Sequence, residues 1–259
     1  MLRLYFWGMP AFIKYLLLIP YWIWLILVFL CFLVSSGVLS TLFIVVLGKK
    51  AHRPTMTLYK FWSTVFFIAA GIRVIQKDRH ILSKNLPAIV VGNHGSNLDM
   101  FIGAFCMPTN IKPLAKVQLK KMPILGYLFS TVCVLVDRSS KESRDKSSRA
   151  MMAEILAGNS LFIYPEGTRN KGNQPVNDFY DGAFRFAIES KRPLVAMCTI
   201  NARNLVPSEN YSVKPGVITV QYLGPYETKN LEKEDLTKLK QRIHRDMFEA
   251  IRKGDPMFD

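Results

Sequence analysis

The chain has 259 residues, half of them apolar and 12% aromatic, which excludes a disordered chain and allows a sizeable core. Its 34 Lys and Arg against 19 Asp and Glu give a formal net charge of +15, so its partners are expected to carry phosphate, on anionic lipid or on nucleic acid. Four dispersed cysteines, Cys31, Cys106, Cys133 and Cys198, sit in apolar runs, which argues against a disulfide or zinc framework and fits a reducing compartment.

The amino-terminal segment favours lipid over nucleic acid. From Tyr15 to Gly48 there is no charged side chain, a run of 34 residues. That exceeds the roughly 20 residues of one bilayer crossing and falls short of two crossings with a turn. Ser35, Ser36 and Gly37 divide a segment near Phe12 to Val34 from a shorter one, Val38 to Leu47, and we expect a membrane-embedded helical hairpin with its break there. A cleaved secretory signal is disfavoured, because the run is longer than the ~7–15 residues of a signal core and no A-x-A-like site follows. Arg3 and Lys14 on one side and Lys49, Lys50 and Arg53 on the other suit both ends lying on the cytoplasmic face, with a single crossing as the alternative. The expected division is a membrane anchor over residues 1–50, hairpin or single span, and an α/β domain over 51–259. A second apolar stretch, Phe61 to Val74, reads as an interfacial or packed helix.

Beyond it, short apolar runs alternate with longer helical ones. Strands are expected near Ala88 to Val91, Lys112 to Lys116, Cys133 to Val136, Leu161 to Tyr164, Leu194 to Ile200 and Val217 to Leu223. Helices are expected over about Asn97 to Cys106, Gln118 to Phe129, Lys141 to Ala157 and Asp181 to Ser190. Leu236, Leu239, Ile243, Met247 and Ile251, three and four residues apart, mark a final amphipathic helix. Strands alternating with helices predict an α/β domain with a largely parallel sheet flanked by helices. In such sheets, sites collect where strands end. No internal repeat or low-complexity segment is present.

One candidate site is the strand end Asn93-His94-Gly95-Ser96-Asn97-Leu98-Asp99. A hydroxyl attacks poorly until a base takes its proton, and imidazole is the usual base near neutral pH. A carboxylate on the other ring nitrogen fixes the tautomer and stabilises the imidazolium. The competing reading is a helix cap, since Ser96 followed by Asp99 resembles a capping box. A chance His-x4-Asp is expected in about one comparable chain in four, so both readings stand at this point. A metal role for the pair is disfavoured, because no nearby Cys, His or carboxylate completes a ligand set. The other candidate, Phe162-Ile163-Tyr164-Pro165-Glu166-Gly167-Thr168-Arg169, follows a strand and ends in a guanidinium, the group best shaped for gripping phosphate. It too has a plain alternative, a strand-to-loop turn with a Glu/Arg pair.

Taken in order, four features resemble the four blocks of the glycerolipid acyltransferase family: His94-x4-Asp99, Lys116 with Pro123, Gly126 and Arg138, the Pro165 to Arg169 block, and Pro193-Leu194-Val195-Ala196. The last departs from the usual Val/Ile-Pro-Val/Ile form, since Leu194-Val195-Ala196 follows the proline here. The uncharged amino terminus and the chain length are similar to those of the bacterial 1-acylglycerol-3-phosphate acyltransferases. The resemblance implies transfer of a fatty acyl group from acyl-CoA or acyl carrier protein to lysophosphatidic acid, with no cofactor. It also implies a bacterial inner-membrane location with the catalytic domain on the cytoplasmic face. On the same ground His94 is the general base and Asp99 its partner. Glu166, Gly167, Thr168 and Arg169 belong to the acceptor site, and Lys116 and Arg138 are further phosphate contacts. The alternatives are another lysolipid acceptor within the same family, a lipid hydrolase, for which a Gly-x-Ser-x-Gly elbow is missing, and a noncatalytic tether to anionic lipid.

Overall fold

The computed structural model describes residues 11–123, 125–137, 139–209 and 212–258, with side chains from Ile19 onward except that of Lys49. It opens on helix α1, Ala11–Leu47, 37 residues and about 55 Å long. A 3₁₀ turn, Gly48–Ala51, leads into α2, His52–Ala69, which packs back along α1. The Tyr21 hydroxyl donates to the Ala70 carbonyl at 3.2 Å, so the start of α1 lies beside the end of α2.

The hairpin therefore exists, but its turn is not at Ser35 to Gly37. Ser35 and Thr41 donate their hydroxyls to the carbonyls four residues back, Cys31 and Gly37, at 2.6 and 2.7 Å, which keeps polar side chains compatible with an unbroken helix. Ser36 and Ser40 are fully buried, so these small residues form a close-packing face instead of a break. The second leg is the later apolar stretch. That stretch ends as helix at Ala69, because Gly71 takes φ +65° and the chain turns into a strand. An L-residue with a Cβ is strained in that conformation.

The rest is a seven-stranded sheet. Its strands are β1 Ile72–Lys77, β2 Ile89–Gly92, β3 Ile111–Lys116, β4 Val134–Val136, β5 Ser160–Ile163, β6 Leu194–Ile200 and β7 Gly216–Tyr226. The spatial order is β1-β7-β6-β2-β5-β3-β4; every pairing is parallel except β6 with β7. Helices α3 Arg79–Lys84, α4 Asp99–Cys106, α5 Leu125–Val132, α6 Lys141–Leu156, α7 Gly182–Ser190, α8 Ala202–Leu205 and α9 Leu236–Gly254 connect and cover it. The expected Gln118 to Phe129 helix is shorter, with a 3₁₀ turn over Val117–Lys121 before α5.

Strand alternation divides the core into two layers. Ile89 and Val91 face a cluster built with Met151, Ile155, Phe184, Ile243 and Met247, from α6, α7 and α9. Val90 and Phe162 face the other, with Leu25, Val28, Phe66, Phe67, Ile102 and Cys106, from α1, α2 and α4. The amino-terminal helices are thus part of one wall of the fold. Phe101 on α4 stacks on Phe66 of α2 at 4.5 Å between centroids and meets Phe32 of α1 at 5.9 Å.

Candidate active site

β2 is the central strand, and parallel pairing sets Val91 beside Ile163 of β5. The two chain segments that leave these neighbouring strand ends, His94 to Asp99 and Tyr164 to Arg169, therefore meet. Gly92 has to be glycine, because a Cβ there would lie 2.7 Å from the Phe162 ring. Asn93 exchanges two hydrogen bonds with the Thr199 backbone, at 2.9 and 2.7 Å, which ties the His94 loop to the end of β6.

His94 Nδ1 lies 2.6 Å from Asp99 Oδ2. The same oxygen accepts the Gly95 and Ser96 N–H groups, each at 3.0 Å. An oxygen already accepting two backbone donors can only accept from the ring, so Nδ1 carries the proton and Nε2 keeps the lone pair. Nε2 has no hydrogen-bond partner among the described residues, and the side chain is 21% exposed against 4% for Asp99. The carboxylate oxygen that orients the base also ties the turn entering α4, whereas the N-cap position of that helix is Leu98, with no side-chain cap bond. Ser96 completes the turn by accepting the Leu98 N–H at 3.1 Å and donating to the Val206 carbonyl at 2.7 Å.

The Pro165 to Arg169 block splits in two directions. Glu166 points inward and is 2% exposed; its two oxygens accept the N–H groups of His94 at 2.7 Å and Asn177 at 2.9 Å. Arg169 points outward and donates to Asn97 Oδ1 at 2.9 Å. Gly167 donates its N–H to the Tyr164 carbonyl at 3.1 Å and takes φ +68°, so the reversal needs a residue without a Cβ. Thr168 is exposed. Asn170 closes the loop by donating its N–H to the His94 carbonyl at 2.6 Å.

Lys116 ends β3, exposed, at the same edge of the sheet. Arg138 falls outside the described residues. Gly126 lets the turn before α5 fold tightly, since a Cβ there would lie 2.3 Å from the Lys120 carbonyl oxygen. Sequence reasoning enclosed Asn93, Asn97 and Tyr164 in its candidate segments without giving them a role, and it missed Asn170 and Asn177. The ring of Tyr164 stacks on His94 with centroids 4.2 Å apart and 18° between planes, and its hydroxyl donates to the Asp99 carbonyl at 3.1 Å. Burial pushes this phenol well above its usual range, which keeps it a donor. The aromatic position before Pro165 was visible, but nothing in its spacing pointed to the imidazole.

Burial also raises Glu166 from 4.5 to about 7, against the two N–H donors, which act downward. Between those values the folded chain holds a proton that the unfolded chain has released, so stability falls as pH rises from about 4.5 to 7 and the loss is complete above it. Glu166→Gln cannot titrate, and its amide offers only one accepting end. The stability gap between native protein and variant is expected to shrink by on the order of 3 kcal/mol across this window. Thermal midpoints of both at several pH values check this; a constant gap would refute it.

Residues 72–200 match the family described as Acyltransferase. The 1-acyl-sn-glycerol-3-phosphate acyltransferase of Saccharomyces cerevisiae is 26% identical over 220 residues, 83% of this chain and 72% of that one. The human 1-acyl-sn-glycerol-3-phosphate acyltransferase beta is 27% identical over 220 residues, 84% and 78% of the two chains. In fold, the chain is similar to the crystal structure of the 1-acyl-sn-glycerophosphate (LPA) acyltransferase from Thermotoga maritima, with a TM-score of 0.75, 20% identity, and coverage of 93% and 96%.

Proposed function

We infer that this chain is an acyltransferase, and we propose that it moves a fatty acyl group from acyl-CoA or acyl carrier protein onto the free hydroxyl of lysophosphatidic acid, giving phosphatidic acid for phospholipid synthesis. The observation that carries the reading is His94, held by Asp99 with Nε2 unbonded, beside an outward arginine. In this mechanism Nε2 takes the proton of the acceptor hydroxyl as its oxygen attacks the thioester carbonyl. The tetrahedral adduct collapses to expel the thiol, which leaves easily as a thiolate and recovers the proton from the imidazolium. Asp99 steadies the imidazolium between these transfers.

Arg169 is read as the grip on the acceptor phosphate, with Lys116 adding positive charge at a neighbouring strand end; the role expected for Arg138 stays part of the proposal. Glu166 acts here by holding the His94 backbone in place, and Gly167 by permitting the reversal that turns Arg169 outward. Fixing the remote phosphate places the hydroxyl at Nε2, so positioning supplies much of the rate. Arg169→Ala is expected to raise KM for lysophosphatidic acid about 10–100-fold, the worth of a charge-assisted bidentate contact. Its KM for a lysolipid without a phosphomonoester should stay unchanged. Equal KM values for lysophosphatidic acid in both proteins would remove Arg169 from the phosphate site.

The division into anchor and domain is kept as part of this proposal. Ile19–Leu47 is long and apolar enough to cross a membrane, and Ile23, Trp24, Leu27, Val34, Val38 and Val45 are exposed along it. Such a surface needs a lipid or protein cover. We place α1 in the bilayer and the α/β domain, α2 included, on its cytoplasmic face, where the acceptor lipid lies. Product identification with acyl-CoA or acyl carrier protein donors and a panel of lysolipids tests the assignment. Preferred acylation of a lysolipid other than lysophosphatidic acid would replace the acceptor, and free fatty acid as the product would replace the reaction.

A further inference from the structure

We propose that Gly92, Phe162 and Tyr164 form an aromatic rest that holds the face of the His94 ring, making all three positioning residues for the base. This rests on the reading of His94 as the base of acyl transfer. A hydrogen bond at Nδ1 fixes one edge of an imidazole but leaves it free to swing about the Nδ1–H···O line, which would carry Nε2 away from the acceptor hydroxyl. A flat ring against one face removes that freedom.

The structure supplies such a ring. Tyr164 lies 4.2 Å from His94 at 18°, and its hydroxyl is anchored on the Asp99 carbonyl at 3.1 Å, so the rest and the orienting carboxylate move as one unit. Tyr164 is in turn backed edge-on by Phe162, 4.7 Å away at 83°, the quadrupole-favoured arrangement. Phe162 is 2% exposed and closes against Gly92, where a Cβ would lie 2.7 and 2.9 Å from the Phe162 ring and 3.5 Å from that of Tyr164. The missing Cβ, the two rings and the imidazole form a single stack running from the sheet to the base. The negative face of the phenol also lies against the imidazole when it takes on charge in the transition state.

The test uses the full chain in lipid nanodiscs, acyl-CoA and lysophosphatidic acid, with kcat and KM measured separately. Tyr164→Leu removes the face and should lower kcat about 10–100-fold with KM for the acceptor within about twofold, as expected for a misplaced reacting group. Tyr164→Phe keeps the face and should stay within about fivefold of the native kcat, losing only the hydroxyl contact. Gly92→Ala should push Phe162 into Tyr164 and lower kcat about tenfold or more, and adding Phe162→Leu, which makes room for the Cβ while an apolar side chain still backs Tyr164, should restore most of that loss.

Tyr164→Leu as active as Tyr164→Phe would overturn the proposal. If the leucine variant does not fold, the Gly92 pair decides: a folded double variant no faster than Gly92→Ala overturns it, and rescue upholds it. His94→Ala runs in parallel. A fully active His94→Ala enzyme would overturn the proposed base itself, whereas an inactive one with a flat Tyr164 series overturns the aromatic rest alone.

Discussion

His94→Ala is expected to lower kcat for transfer onto lysophosphatidic acid by about 10²–10⁴-fold, with KM for the acceptor close to the native value. The range is the usual worth of a positioned general base. The loss should not be total, because the acceptor would still be held by its phosphate against a reactive thioester, and positioning alone accelerates the reaction. Folding should survive, since Asp99 keeps its bonds to the Gly95 and Ser96 N–H groups and Glu166 bonds to the backbone of residue 94, not to its ring. Steady-state kinetics with a thermal midpoint on the same sample provide the check. Near-native kcat in a folded variant would exclude His94 as the base, and a raised KM with unchanged kcat would make it a binding residue.

The parts of the fold legible in the sequence are those where burial is two-sided. Ile89-Val90-Val91, Leu161-Phe162-Ile163 and Leu194 to Ile200 lie between two helical layers, so every position but Thr199 is apolar and each reads as a strand. β1, Ile-Arg-Val-Ile-Gln-Lys, lies at the sheet edge with alternating exposure, and it follows an apolar helix without a visible break. The divider is Gly71, whose φ of +65° no composition displays. The hairpin turn was misread for a related reason. Ser35, Ser36 and Gly37 look like breakers in a one-dimensional reading, but small residues facing a second helix mark close packing. The insertion of β7 between β1, to which it is parallel, and β6, to which it is antiparallel, depends on contacts far apart in sequence.

The candidate site was legible as residue types and opaque as directions. His94 and Asp99 belong to one turn, so their spacing carried the geometry now seen at 2.6 Å. Glu166 and Arg169 are three residues apart in one block, yet one is buried against the His94 backbone and the other faces solvent. Their separation depends on Gly167 and on the N–H of Asn177, eleven residues from Glu166. Phe162 reads as a strand residue because it is, and Tyr164 follows the strand's end; their second role needs the partner ring.

Asp99→Asn separates the two functions that meet at Oδ2. Asparagine offers one oxygen and one NH₂. Two backbone donors, Gly95 and Ser96 N–H, sit at this position with the ring, so turning the NH₂ toward them would lose two hydrogen bonds, and the amide oxygen should stay. The tautomer with the proton on Nδ1 is then kept, and what disappears is the negative charge beside the imidazolium. In serine proteases the same substitution also imposes the wrong tautomer and costs about 10⁴-fold. Here the expected fall in kcat is smaller, about 10²–10³-fold, with a thermal midpoint near the native one. Asp99→Ala removes the acceptor altogether, so it should add a stability loss of about 1–3 kcal/mol, the scale of backbone donors left unpaired. Native kcat in Asp99→Asn would reduce Asp99 to a tie within the turn. A fall of about 10⁴-fold would instead mean that the amide had flipped against its two backbone donors.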